Sequence, residues 1–179
     1  MSNNIWETIP TGDKSPNVVN VVIEIPKGSN NKYELDEKLG VIKLDRVFYS
    51  PFFYPLDYGF IPQTRSEDGD HLDALVIGSD PVPVGCLVEA RPIGMLNMID
   101  SGEADAKILA VQAKNPRFDT IKSIKDIEQF QPHLLKEIVH FFEHYKDLQG
   151  KKVETKGWDG VDAAHAEIKK AQDVYAKEK

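Results

Sequence analysis

The chain has 179 residues, of which 41% are hydrophobic and 28% are charged, and its formal net charge is −7. This length and composition predict one soluble globular domain over residues 1–179. The negative charge and the lack of a basic stripe argue against nucleic acid as the main partner.

The sequence shows no targeting or membrane segment. Residues 1–16 are polar and lack the apolar core of a signal peptide, and no uncharged apolar run approaches the ~20 residues of a membrane span. Cys86 is the only cysteine, so an internal disulfide is excluded and a reducing compartment is favoured. We therefore expect a cytoplasmic protein that binds no membrane, with Cys86 buried among its apolar neighbours.

The first third of the chain is predicted to form three strands. Residues 18–25 are apolar and β-branched, with Glu24 as the one carboxylate near the strand's end. A carboxylate there lies either at an exposed edge or in a polar pocket. A short strand at 32–35 and a hairpin turn at 38–40 then lead into a third strand at 41–48.

Arg46 occupies an unusual place on this third strand. Side chains alternate between the two faces of a strand, so Arg46 shares a face with Ile42, Leu44 and Phe48. An unpaired charge on an apolar face is costly, so the guanidinium needs a partner. That partner is either a carboxylate in a structural ion pair or an anionic ligand, which the planar fork of arginine suits well.

An aromatic and proline-rich segment follows at 50–62. Its three prolines predict irregular structure. Its aromatic side chains, which include Tyr54 and Tyr58, either pack as ordinary core or offer phenol hydroxyls as hydrogen-bond donors to a neighbouring site.

The most distinctive stretch contains three carboxylates, Asp68, Asp70 and Asp73, within six residues and just before the apolar run 74–77. Gly69 offers a place to turn, and a turn that gathers the three side chains would form an oxygen-rich pocket for a divalent cation such as Mg²⁺. The alternative is a solvated acidic loop. An EF-hand is excluded, because its required positions hold the wrong residues.

A second acidic turn repeats this arrangement farther along the chain. It contains Asp100 and Asp105, and alternation places Asp105 and Lys107 at the head of an apolar strand face. Finding a carboxylate and a cation again at the head of a strand makes coincidence a weaker explanation. The strands predicted in this region are 85–92, 94–98 and 107–111.

The last third of the chain is predicted to be helical. One helix begins near Pro132 and stops at Gly150, and a second covers about 162–177. His140 and His144 have the spacing of a metal pair, but no third soft ligand is evident, which favours packing or a subunit contact. The core-facing stripes are Leu134, Ile138, Phe141, Tyr145 and Leu148 in the first helix, and Ala164, Ile168, Ala171 and Tyr175 in the second.

Together these elements amount to five or six strands followed by two helices. This order favours a mainly β fold with appended helices (α+β), namely an OB-like five-stranded β-barrel with two C-terminal helices.

With these features assembled, the sequence resembles the family I soluble inorganic pyrophosphatases of the short, prokaryotic type. The similarity runs from about residue 17 to residue 158. One departure lies in the acidic turn, where the family usually has Pro or Glu after the second Asp and this chain has His71, which leaves the rigidity of the turn open. The landmarks are Ile23-Glu24-Ile25-Pro26, Lys32-Tyr33-Glu34, Asp45-Arg46, Phe53-Tyr54-Pro55, Asp57-Tyr58-Gly59, Asp68-Gly69-Asp70, Asp100 with Asp105-Ala106-Lys107, and His140-Phe141-Phe142-Glu143-His144-Tyr145-Lys146.

The resemblance implies Mg²⁺-dependent hydrolysis of inorganic pyrophosphate to two orthophosphates by attack of a metal-activated water. It implies that Asp70 is the base that takes a proton from this water. The implied metal ligands are Glu24, Asp68, Asp73, Asp100 and Asp105. The implied substrate-binding residues are Lys32, Arg46, Tyr58, Lys107, Tyr145 and Lys146, with Tyr54 and Glu34 in supporting positions.

The resemblance also implies a homo-oligomer, specifically a hexamer, with the His140 and His144 face as the expected subunit contact. A site for a highly charged anion should place carboxylates on one wall and cations on the opposite wall. A non-catalytic OB-fold binding module is the main alternative, but it would need basic grooves and exposed stacking aromatics. A divalent-cation buffer would leave Lys32, Arg46 and Lys146 unexplained.

Overall fold

The computed structural model describes residues 5–178, so residues 1–4 and 179 fall outside it. No helix within this range is long and apolar enough to cross a bilayer. The strands are β1 Val19–Ile25, β2 Asn31–Asp36, β3 Val41–Val47, β4 Asp57–Ile61, β5 Leu72–Ile77, β6 Leu87–Asp100, β7 Glu103–Ala104, β8 Lys107–Gln112 and β9 Val153–Asp159. The helices are α1 Ile5–Thr8, α2 Ile124–Phe130, α3 Leu134–His144 and α4 Val161–Lys177, with short 3-10 turns at Pro116–Phe118 and Asp147–Gln149.

Five strands form a closed hydrogen-bonded ring in the order β1-β4-β5-β8-β6, and β6 pairs back onto β1. Neighbouring strands are antiparallel except β5 and β8, which run parallel and place Asp73 beside Lys107. The ring confirms the predicted OB-like five-stranded barrel. Strands β7 and β9 pair with β6, while β2 and β3 form a separate two-stranded sheet.

Both faces of the ring are buried. Alternation along β5 sends Leu75 to the core that includes Ile138 of α3, and Val76 to the core that includes Ile168 of α4. Strands β5 and β8 are therefore apolar along most of their length, and their polar residues Asp73 and Lys107 lie near the strand ends. The site described below forms at such ends.

Several predicted elements are confirmed. The strand predicted at 18–25 is β1, the turn predicted at 38–40 joins β2 to β3, and the final helix is α4. The second predicted stripe faces the core, since Ala164, Ile168, Ala171 and Tyr175 are all buried.

Three expectations about strands and burial are wrong. The segment 50–62 contains β4, because its prolines lie before and after Asp57–Ile61 rather than within it. The segments predicted at 85–92 and 94–98 form one strand, β6, which continues through Pro92. Its register with β8 shifts between Pro92 and Gly94, and such an irregularity accommodates a proline, which has no backbone N–H to donate. Cys86 is exposed, because it precedes β6 in a turn.

Other elements differ from the predictions for equally local reasons. Helix α3 ends at His144, and Leu148 lies exposed in a 3-10 turn instead of extending the apolar stripe. Leu44 is also exposed, because the β2–β3 hairpin stands off the ring and covers only part of its own apolar face. Helix α2 and strand β9 were not predicted.

Candidate functional site

The acidic turn between β4 and β5 is held by hydrogen bonds within the turn. The amide of Asp70 donates to Asp68 Oδ1 at 3.0 Å, and the amide of Ser66 donates to the Asp70 carbonyl at 2.8 Å. Gly69 has φ +88°, a conformation that favours glycine, so the chain turns where the sequence predicted. The turn does not gather its three carboxylates at one point, since Asp70 and Asp73 line one cavity and Asp68 lines another.

The first cavity has a volume of about 170 Å³. Glu24 enters it from β1, Lys32 from β2, Tyr58 from β4 and Asp73 from β5, so four strands contribute. Glu24 is buried, and its Oε1 accepts a hydrogen bond from the Leu35 amide at 2.7 Å. The sequence left an exposed strand edge or a polar pocket as the two possible positions of Glu24, and the structure places it in a polar pocket.

The second cavity, of about 200 Å³, lies beside the second acidic turn. Asp68, Asp100, Asp105 and Lys146 line it. Lys146 forms an ion pair with Asp100, which joins the end of α3 to the end of β6. Carboxylates from both acidic turns therefore meet here.

Lys107 connects the two cavities. Its buried ammonium group pairs with Asp73 at 2.5 Å and also with Asp105. Burial alone would lower the pKa of Lys107, but the charges of Asp73 and Asp105 outweigh it and raise that pKa. The expectation of separate acidic and basic walls is therefore wrong in part, because Lys107 and Lys146 lie among the carboxylates.

The β2–β3 hairpin supplies the remaining cations. Lys32 forms an ion pair with Glu34 and lies 3.8 Å from Asp45, while the Arg46 guanidinium lies 3.2 Å from Asp45. The structural ion pair considered for Arg46 is thus present. Arg46 Nε is buried without a hydrogen-bond partner among the described residues, so the guanidinium retains an unused donor.

Three tyrosines form an aromatic cluster behind the site. Tyr54 lies 5.3 Å from Tyr58, between ring centroids, and both rings are buried. Burial, together with nearby negative charges, raises the pKa of Tyr58 and of Tyr145, so both phenols keep their protons. The two roles left open by the sequence coexist: the rings pack, and their hydroxyls remain donors.

The pKa values of the carboxylates show how crowded the negative charge is. Burial, reinforced by repulsion from Asp73, raises the pKa of Glu24 to about 8. Burial and the charges of Asp68 and Asp73 raise the pKa of Asp70, and burial also raises that of Asp105. A hard divalent cation would relieve this repulsion, and carboxylate oxygens are the ligands it prefers.

Within residues 5–178, no three His, Cys, Asp or Glu side chains already converge as ligands around one point. Lysine ammonium groups hold Asp73, Asp100 and Asp105 instead. The donor set therefore fits Mg²⁺ in its chemistry, although its side chains are arranged around internal cations.

His140 and His144 lie together on α3, with ring centroids 4.5 Å apart. His144 Nδ1 is 2.9 Å from Asp147, and the His140 ring lies 5.8 Å from that of Phe52. These contacts fit packing better than a metal pair, in line with the preference drawn from the sequence.

Sequence reasoning missed Glu37, which also lines the first cavity. Glu37 lies in the hairpin turn, where a charged residue gives no signal above that of any exposed turn. It contacts Arg65 and His71, which flank the acidic turn. This contact depends on the position of the folded hairpin over the site, which the sequence does not show.

Comparison with known proteins agrees with this geometry. A sequence model of the family described as inorganic pyrophosphatase matches residues 21–176. An inorganic pyrophosphatase of Geobacillus stearothermophilus is 55% identical over 147 residues, covering 82% of this chain and 87% of the relative. One from Picrophilus torridus is 47% identical and covers 96% of each chain. The crystal structure of inorganic pyrophosphatase from Thermus thermophilus superposes with a TM-score of 0.91 at 46% identity, over 96% of this chain and 98% of the other.

Proposed function

The chain belongs to the inorganic pyrophosphatase family and hydrolyses inorganic pyrophosphate, and from this premise we propose which of its residues carry the reaction. The observation that carries the proposal is a group of six carboxylates around two cavities joined by Lys107. These carboxylates are Glu24, Asp68, Asp70, Asp73, Asp100 and Asp105.

The proposed metal is Mg²⁺, several ions per site, held by Glu24, Asp68, Asp73, Asp100 and Asp105. When bound, Mg²⁺ would supply the positive charge that lets an acidic site accept an anionic substrate, and it would lower the pKa of a coordinated water below that of bulk water. Asp73, Asp100 and Asp105 would exchange part of their pairing with the ammonium groups of Lys107 and Lys146 for a bound cation. Lys107 and Lys146 would then have hydrogen-bond donors available for phosphate oxygens.

Asp70 is the proposed general base. Within the described residues no lysine, arginine or histidine forms an ion pair with it, so its carboxylate remains free to accept a proton on an Oδ atom. Burial and the neighbouring negative charges raise the pKa of Asp70, which makes the carboxylate a better proton acceptor than an exposed aspartate.

The substrate phosphates are proposed to bind Lys32, Arg46, Tyr58, Lys107, Tyr145 and Lys146, with Tyr54 and Glu34 supporting these side chains. The unused Nε donor of Arg46 and the protonated phenols support this assignment. Such donors stabilise the charge that develops on the leaving phosphate. Attack by water is direct in this proposal, because the aspartates that line the two cavities are assigned to metal binding and proton transfer.

A phosphate-release assay tests the proposal. Release from pyrophosphate should require Mg²⁺ and stop when a chelator is added. D70N should lower kcat at least ~10²-fold, because a general base contributes on this scale. D80N, which changes an exposed carboxylate outside the site, should leave kcat unchanged. Equal rates in D70N and wild type would remove Asp70 from its role, and a trapped phosphoprotein would exclude direct attack.

We also propose a cytoplasmic homohexamer whose single domain spans residues 1–179, with the α3 face around His140 and His144 as a subunit contact. A monomeric mass in sedimentation would contradict the assembly. The alternative of a nucleic-acid-binding OB module lacks support, because the site is lined by carboxylates. A shift of single-stranded DNA in a gel at low salt would revive it.

A further inference from the structure

The β2–β3 hairpin carries Lys32 and Arg46 but is not part of the barrel's hydrogen-bonded ring. Its position over the carboxylates must therefore be fixed by other contacts. At its inner edge, the Leu35 amide donates to Glu24, and at its tip the Gly40 carbonyl accepts from Trp6 Nε1 at 3.0 Å. The contact that joins the hairpin to the acidic turn is made by Glu37.

Glu37 lies between two side chains of the acidic-turn region. Its Oε1 atom is 3.2 Å from Arg65 Nη1 and 3.3 Å from His71 Nε2. Both partners are largely buried, with side-chain exposures of 15% and 10%, whereas Glu37 itself is 46% exposed. The Glu37 carboxylate therefore reaches from the exposed hairpin turn to two side chains that are packed into the acidic-turn region.

Arg65 is fixed because it is anchored on two sides. Its Nη1 donates to the Gly69 carbonyl at 2.6 Å, in the middle of the acidic turn. Its backbone amide donates to the Ala171 carbonyl of α4 at 2.9 Å, and its Nε donates to Glu178 at 3.0 Å. Arg65 therefore links the acidic turn to α4, and its guanidinium also forms an ion pair with Glu37 of the hairpin.

His71 attaches the acidic turn to the barrel through two contacts. The ring stacks on Phe60, with centroids 5.0 Å apart, and Nδ1 lies 2.8 Å from the Thr64 carbonyl, where it must donate. The Arg65 guanidinium keeps its positive charge throughout the physiological pH range, so Arg65 is the permanent cation that holds Glu37.

We propose that Glu37 is a positioning residue, a latch that holds the β2–β3 hairpin to the acidic turn and so keeps Lys32 and Arg46 facing the carboxylates. The inference rests on the proposed roles of Lys32 and Arg46 in binding phosphate. Glu37 contacts no reacting atom in this scheme. Loosening it should weaken substrate binding while leaving the proton-transfer step intact, so the effect should fall on KM rather than kcat.

The test compares E37A with K43A in the intact protein. Lys43 forms an exposed ion pair with Asp36 inside the same hairpin, so K43A removes a hairpin charge without touching the acidic turn. E37A should raise KM for pyrophosphate about fivefold, the upper range for a partly exposed ion pair, with kcat unchanged within about twofold. E37Q, which keeps an acceptor for Arg65, should give a smaller rise, and K43A should give none.

Hydrogen exchange of the metal-free protein supplies a readout independent of the reaction. E37A should speed amide exchange across residues 31–47, and K43A should not. Unchanged exchange in E37A would overturn the latch, whatever happens to KM. Faster exchange with an unchanged KM would support the latch and instead refute the proposed binding roles of Lys32 and Arg46.

Discussion

Replacing Lys107 by methionine tests how much the Lys107 ammonium group stabilises the neighbouring carboxylates of the site. The substitution keeps an unbranched side chain as far as Cε but removes the ammonium group that pairs with Asp73 and Asp105. Lys107 is only 5% exposed, and its two partners are 22% and 15% exposed. Without it, two neighbouring carboxylates face one another with little solvent between them. Breaking a buried pair in this way costs about 3–5 kcal/mol, and the partial hydration of the partners favours the lower end, about 3 kcal/mol.

Urea unfolding in the presence of a chelator, followed by tryptophan fluorescence, measures this loss. The matched control is K114M, because Lys114 forms an ion pair with Glu89 but is 83% exposed, and such pairs contribute at most about 1 kcal/mol. Expressed as thermal stability, K107M should melt about 6–12 °C below wild type for a chain of this size.

Added Mg²⁺ should narrow the gap between K107M and wild type, because a cation can replace the lost charge among the carboxylates. If K107M unfolds within about 1 kcal/mol of wild type, like the control, the ammonium group does not hold these carboxylates together, and the electrostatic account of the site fails.

Two further predictions concern the barrel. In G59A, the new Cβ would lie 1.9 Å from the Val22 carbonyl oxygen on the paired strand, so the free energy of unfolding should fall by about 3 kcal/mol. In the control G78A, the new Cβ would meet the flexible Gln112 side chain, so the loss should be less than about 1 kcal/mol. Equal losses of the two variants in urea unfolding would contradict this packing argument. Burial raises the pKa of Asp57 above 3.8, so its contribution to folding is present below that pH and is lost as pH rises through the higher folded value. D57N, whose amide oxygen can still accept from the Lys27 and Val82 amides, should therefore gain stability relative to wild type between about pH 4 and pH 7, and a difference that shrinks with pH would refute this.

Much of the barrel follows from alternation in the sequence. Leu75 and Ile77 predict the face on which Asp73 lies, and Leu109 and Val111 do the same for Lys107. The sequence does not show that β5 and β8 pair in parallel with Asp73 beside Lys107, because strand partners depend on the whole ring. This pairing is why Lys107 lies between carboxylates instead of opposite them.

The missed elements share one cause, a dependence on distant partners. Strand β9 is polar and contains Gly157, so only its pairing with β6 makes it a strand. Strand β4 lies between prolines whose positions, rather than their number, decide the structure. Glu37 gave no local signal, since its contacts with Arg65 and His71 span the gap between the hairpin and the acidic turn.

The pairing of β1 with β6 closes the ring and joins Val19 to Ala90. These residues are much farther apart along the chain than the paired residues of a hairpin. Glu24 on β1 and Asp100 at the end of β6 reach the same site only when that seam has formed. Assembly of such non-local pairings is slow and cooperative. During refolding, catalytic competence should therefore emerge in a single late step together with the global fold, and no fragment that lacks either seam strand should hydrolyse pyrophosphate.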